Sequence, residues 1–239
     1  MSASSTPPQT GGSAGKAVST PNKWPSRKLY KETVSIFVGS NKEKYTLHKG
    51  LLCIYSDFFR AAFEGSFKEA HENKIELPDV LVDVFEAFQV WLYSRSLRDP
   101  EDHGDSSTRP QLLTHRTLAY LWVSGDKYQI PLLQNDSIDA LLEKMDQENL
   151  FSTIVVDIAY QSTMQGSPLR RFAIDICVFR MEHKQGENSI FREANSSNWS
   201  QEALIDFARR MSDAWQHGLA YRAADLATHN YNKRKNNTY

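Results

Sequence analysis

The sequence has few of the features that mark catalysis, export or membrane insertion. Its 239 residues include only two cysteines, Cys53 and Cys177. Both sit in apolar surroundings, and two are too few for a disulfide framework. That usage suits a reducing cytosol or nucleus. No apolar run approaches the roughly 20 residues that span a bilayer. Met1 to Pro25 lacks the apolar stretch of a secretory signal. The N-x-Ser/Thr matches at Asn135, Asn195, Asn198 and Asn236 are therefore read as chance. Lysine and arginine total 28 against 29 acids, so no global field favours nucleic acid or an anionic membrane. Seven histidines are scattered, with no metal-ligand spacing and no Cys-x-x-Cys. There is no phosphate-binding glycine-rich loop and no Gly-x-Ser-x-Gly elbow. The reading is of no catalytic residue, no cofactor and no metal.

Residues 1–28 are rich in Ser, Thr, Pro, Gly and Lys. Such a segment buries too little surface to offset its ordering entropy, so disorder is expected. Order is expected from about Tyr30. Val34, Ile36 and Val38 alternate as in a half-buried strand, Gly39-Ser40-Asn41 supplies a turn, and Lys44 to Leu47 alternates again. A third short strand, Lys74 to Leu77, stops at Pro78. Helices follow. Ser56 is placed to cap one running to Phe63. Leu81, Val84, Phe85, Phe88, Trp91 and Leu92 keep helical spacing. So do Leu118, Leu121, Trp122 and Gly125, and Pro131 opens a helix carrying Leu132, Leu133, Ile138, Leu141 and Leu142. The polar stretch 96–110 reads as an exposed flexible loop.

A second helical block, 146–228, begins with a stripe of Leu150, Phe151, Ile154, Val155 and Ile158. Ser167-Pro168 starts another helix with Leu169, Phe172, Ala173, Ile176 and Phe179. Arg180 to Ser197 is polar and interrupted. Ser200 caps a helix whose stripe is read as Leu204, Phe207, Ala208, Met211 and Trp215. A short basic tail, 229–239, ends the sequence. Arg170-Arg171 is read as a solvated helix face rather than a phosphate site.

Tyr45-Thr46-Leu47-His48-Lys49-Gly50-Leu51-Leu52, followed by Ser56-Asp57-Phe58-Phe59, resembles the BTB/POZ signature. Phe67-Lys68-Glu69, Ile75-Glu76-Leu77-Pro78-Asp79, Val84-Phe85, Trp91-Leu92-Tyr93 and Leu118 to Asn135 follow in the family's order. The resemblance covers about residues 30–145. It implies an α+β, BTB/POZ fold: a small three-stranded sheet with a cluster of helices, here followed by an all-helical extension. Ile158-Ala159-Tyr160, Gly166 to Arg171 and Asp175 resemble the helical extension of fungal BTB-only proteins.

The family resemblance implies a protein-interaction scaffold, not an enzyme, working inside the cell in cytoplasm or nucleus. His48 is then a structural residue at a strand–helix junction. Cullin-binding members carry an apolar-x-Glu motif just before the third strand, and Phe67 and Glu69 occupy that place. This makes adaptor of a cullin-type ubiquitin ligase the specific candidate. The alternative is a transcription-associated recruitment protein without its own DNA-binding domain. A homodimer is open, although the N-terminal helix that many family dimers exchange has no counterpart before Ser26, and Thr33 stands where an acid is common.

Overall fold

The computed structural model describes residues 26–99, 111–148, 152–183 and 199–217. The expected disorder of the arm before Ser26, the loop centre, Leu150, Phe151, most of Arg180 to Ser197 and the basic tail all lie outside them.

The chain enters through a 3-10 turn, Arg27–Tyr30. The expected boundary after residue 28 falls inside this turn. Its backbone presses on the next helix: a Cβ at Gly50 would lie 2.6 Å from the Leu29 Cα and carbonyl oxygen. Strand β1, Thr33–Val38, pairs antiparallel with β2, Glu43–His48, and parallel with β3, Lys74–Leu77. The sheet order is β2-β1-β3, with Ile36 facing both Tyr45 and Ile75. Central β1 buries the alternating set Val34, Ile36 and Val38, as the period of two requires.

Helices α1, Lys49–Tyr55, and α2, Asp57–Glu64, meet at Ser56. The Ser56 hydroxyl accepts the Phe59 N–H at 2.9 Å and donates to the Tyr128 carbonyl at 2.6 Å. One buried side chain thus caps α2 and ties it to the end of a helix 72 residues later. A short helix α3, Lys68–Glu72, precedes β3, and Asn73 ends it in the left-handed region at φ 48°. The sequence reading placed no helix there.

Helix α4, Val82–Ser94, buries Val84, Phe85, Phe88, Trp91 and Leu92. The fully buried Trp91 indole donates to Asp136 Oδ2 at 2.7 Å. Arg95 ends α4 at φ 58°, a costly backbone for a side chain of this size. Its guanidinium is held by Asp136 at 2.6 Å and lies over the Trp91 ring at 4.1 Å. The stretch expected to be loop from residue 96 is not exposed at its shoulders. Leu97 and Leu112 are buried, Arg98 bridges to Leu112, and the Asp99 N–H donates to the Gln111 carbonyl at 2.9 Å. Two apolar residues a short distance outside the polar centre hold those shoulders in the core.

Helices α5, His115–Lys127, and α6, Pro131–Glu148, form a close hairpin. Gly125 allows it, since a Cβ there would meet Gln134 Cγ at 2.9 Å. Helix α7, Ile154–Ser162, packs on α5, and α8, Pro168–His183, packs on α7. The last described helix, α9, Gln201–His217, lies mainly on α8. Ser167 and Ser200 accept from Leu169 and Ala203 N–H groups at the starts of α8 and α9.

Helix α9 does not bury the stripe read from the sequence. Phe207 is buried and Met211 half-buried, but Leu204 and Trp215 are exposed, Trp215 at 89 %. Ala203 and Ala214 are buried instead. Small residues let α9 approach α8, while hydropathy draws the eye to the large ones.

Candidate functional site

The α2–β3 connection carries the residues singled out from the family motif. Helix α2 ends at Glu64, and Gly65 then turns the chain. A Cβ on Gly65 would come within 2.4 Å of the Ala61 carbonyl oxygen and 3.2 Å of the Phe67 ring. Glycine therefore lets the Phe67 ring fold close to the end of α2. Phe67 is the residue before α3 and has 59 % of its surface exposed. It is one of the large apolar groups in the domain that the core does not absorb. Glu69 is half-buried in the first turn of α3.

Beside them lies a shallow groove of about 250 Å³, lined by Lys68, Glu69, Glu72, Lys74, Ile75 and Glu76. Its acids are not equivalent. Glu76 takes Lys74 at 2.8 Å and Lys42 at 2.9 Å. Hydrogen bonds from those two ammonium groups pull its carboxyl down to about 2. The Lys74 ammonium is correspondingly raised by its hydrogen bond to Glu76. Glu72 takes Lys68 at 3.5 Å. The Glu69 carbonyl accepts the Asn73 N–H at the end of α3, while its carboxylate makes no hydrogen bond or ion pair with any described residue. The corner thus offers an exposed aromatic ring and, beside it, a carboxylate with no ion-pair partner among the described residues. Chemically it can dock an apolar group and accept from a cationic or N–H donor. The structure brings Phe67 and Glu69 together on one short helical corner, where the sequence reading had a plain connection.

The other residues that looked like chemistry are absorbed by structure. His48 ends β2 and precedes α1. Its Nδ1 lies 2.9 Å from the Tyr93 hydroxyl, which also accepts the His48 backbone N–H at 3.2 Å. Tyr30 packs edge-on against the same ring. Ser56 is a cap, as described. Arg170 is not on a solvated face. It is 7 % exposed, donates to the Tyr160 and Thr163 carbonyls at 3.1 and 2.5 Å, and pairs with Glu202 at 2.8 Å. It closes the C-terminal end of α7 and pins α9. Arg171 is exposed. Burial pushes the Cys53 thiol up to about 11, and it also raises that of fully buried Cys177. Both are thus held as thiols rather than reactive thiolates. Among the described residues, no group of His, Cys, Asp or Glu is arranged to hold a metal ion. No helix among them is long and apolar enough to cross a membrane.

The mixed sheet flanked by helices frames the exposed α3 corner. Among known families, the BTB/POZ domain matches residues 27–145. The chain is a BTB/POZ domain protein, and that domain is a non-catalytic protein–protein interaction module.

Among curated proteins the chain is similar to TD and POZ domain-containing protein 3 of Mus musculus. That match is 25 % identical over 135 residues, 56 % of this chain and 34 % of the mouse protein. It is also similar to BTB and MATH domain-containing protein 38 of Caenorhabditis elegans. There the identity is 26 % over 130 residues, 54 % of this chain and 30 % of the worm protein. The chain spans about a third of the length of the curated relatives it matches.

Proposed function

We propose that this protein is a scaffold that recruits a cullin-type partner through Phe67 and Glu69, as a substrate adaptor of a ubiquitin ligase working inside the cell. The observation that carries the proposal is the α3 corner. A ring with more than half its surface in water sits beside an acid whose carboxylate has no ion-pair partner among the described residues. Aromatic residues, phenylalanine included, are enriched in protein–protein interfaces relative to the rest of the surface. The family motif that the pair resembles falls at the same point of the chain. The helices after residue 152 are proposed to be the extension of the fungal BTB-only type, with the substrate held there or by the N-terminal arm.

The test is calorimetric titration of the full chain with the N-terminal region of a cullin from the same organism. The wild type should bind. Phe67→Ala should weaken binding about thirtyfold, the loss of roughly 2 kcal/mol at a hot spot. Absence of binding by the wild type, or unchanged binding by Phe67→Ala, refutes the cullin reading and leaves the interaction module.

A further inference from the structure

Helices α8 and α9 lie side by side but are held very differently. Helix α8 buries Leu169, Arg170 and every residue from Phe172 to Val178. Of the side chains described on α9, only Ala203, Phe207 and Ala214 are buried. Phe207 is the one large apolar group among these three, and Trp199, just before the helix, meets it edge-on. At 100° per residue the three centre about 75° away from the apolar stripe of Leu204, Phe207, Ala208, Met211 and Trp215. The helix is therefore docked off its own apolar axis. Leu204, Ile205 and Trp215 stay exposed with α9 in place. Undocking α9 thus gives up little apolar burial.

A polar rib borders the buried line. Glu202, Asp206 and Arg210 recur at i, i+4 and i+8, one above another on the helix. Each reaches a different side chain across the interface. Glu202 pairs with Arg170 at 2.8 Å, Asp206 accepts the Tyr160 hydroxyl at 2.8 Å, and Arg210 pairs with Asp175 at 2.5 Å. Past this rib the seat is poor. A groove of about 610 Å³ opens between the helices, with Arg171, Ile174 and Asp175 on one wall and Arg209, Arg210 and Asp213 on the other. Among residues 211–216 only Ala214 is buried, with Met211 half-buried. A segment with few buried apolar contacts opens at a lower free energy than the core beneath it.

We propose that α9 is a releasable strap: it undocks from α8 while α4–α8 stay folded, and the rib of Glu202, Asp206 and Arg210 is its latch. A helix of this length draws most of its stability from packing, so the released segment loses its helical hydrogen bonds. Release uncovers the side of α8 that bears Arg170 and Asp175. The protein thereby has a second state controlled by polar contacts and not by its apolar core.

Hydrogen exchange of the full chain under native conditions, followed in peptides from α8 and α9, reads the release directly. The α9 amides should exchange faster than those of Phe172 to Val178, yet slower than an unstructured chain. Tyr160→Phe removes one latch hydroxyl and no bulk. It should speed α9 exchange by about tenfold, the worth of one hydrogen bond to a charged group, and leave α8 unchanged. Glu202→Gln, at an exposed acid whose partner Arg170 keeps two carbonyls, should act in the same direction. Four results overturn the proposal. Exchange of α9 at the rate of an unstructured chain would show that the helix is not docked. Exchange of α8 and α9 in step would show that they open as one unit. Acceleration of α8 together with α9 in the variants would show that the rib supports the whole extension. An α9 rate that neither substitution changes would show that the rib is not the latch.

Discussion

The two parts of the described chain share one apolar core but differ in how their charged groups are used. Up to residue 148, the decisive contacts are rings and aliphatic side chains, with polar groups anchored beside them. Phe59 stacks on Phe63 and Tyr128, Phe88 stacks on Trp91, and Trp91 is hydrogen-bonded to Asp136. From residue 152 on, an apolar floor of Leu169, Phe172, Ile176 and Phe207 continues, with Trp199 edge-on against Phe207, and ion pairs join one helix to the next. Arg170 joins α7 to α9, Arg210 joins α9 to Asp175 on α8, and Tyr160 is bound to Asp206. A well-packed ring fixes position through shape in every direction. A buried ion pair fixes one direction and depends on both partners. The first region is thus a rigid frame for the α3 corner. The second adds to its apolar packing a small number of pairs that join one helix to the next.

Substitutions can break or sharpen that contrast. The largest effect is expected at Trp91→Ala, which removes a fully buried indole and should cost about 3–5 kcal/mol in urea unfolding. A loss under about 1 kcal/mol would mean that the rings do not carry the first region. Next is Arg170→Met, which fits the volume but strands the Tyr160 and Thr163 carbonyls. About 2–3 kcal/mol should be lost, and tryptic cleavage after residue 200 should accelerate. An equally stable Arg170→Met protein would show that the apolar floor alone holds the second region. Ser56→Ala removes a cap and the partner of the Tyr128 carbonyl, for about 2 kcal/mol.

The two regions should nonetheless melt together, because α7 packs on α5 and a helix of this length is marginal alone. Ellipticity and tryptophan fluorescence are expected to trace one unfolding curve; two separated transitions would mean two independent units. The smallest effect on stability is expected at Glu69→Lys, within about 0.5 kcal/mol, since a half-buried surface acid whose carboxylate has no described partner contributes little.

The strands and α4–α6 were legible because their apolar periods were strong, and α2 because Ser56 caps it. Val34, Ile36 and Val38 point one way at every second position, and Trp91 and Leu118 sit on clean helical stripes. Helix α3 left no such trace: Phe67 to Asn73 has only Phe67 and Ala70 as apolar residues, and Phe67 points to water. Its end is set by Asn73, whose left-handed backbone is a local preference rather than a pattern. The phase of α9 was hidden because alanines mark its buried side. Arg170 was misread for a related reason: a charge is expected outside, and the carbonyls that draw it inside belong to the backbone. Phe67 and Glu69 were found through a family motif, and physical pattern alone would have passed over them. What the sequence could not show is that Glu72 and Glu76 are each matched by lysines while Glu69 is not.

The central claim is that the α3 corner is the surface a partner reads. Its most direct test is a titration of the cullin N-terminal region with wild-type protein and with Phe67→Ala/Glu69→Lys, alongside the melting curves of both. The account predicts that the double variant melts within a few degrees of the wild type and loses binding altogether. A folded double variant that binds as tightly as the wild type would contradict it.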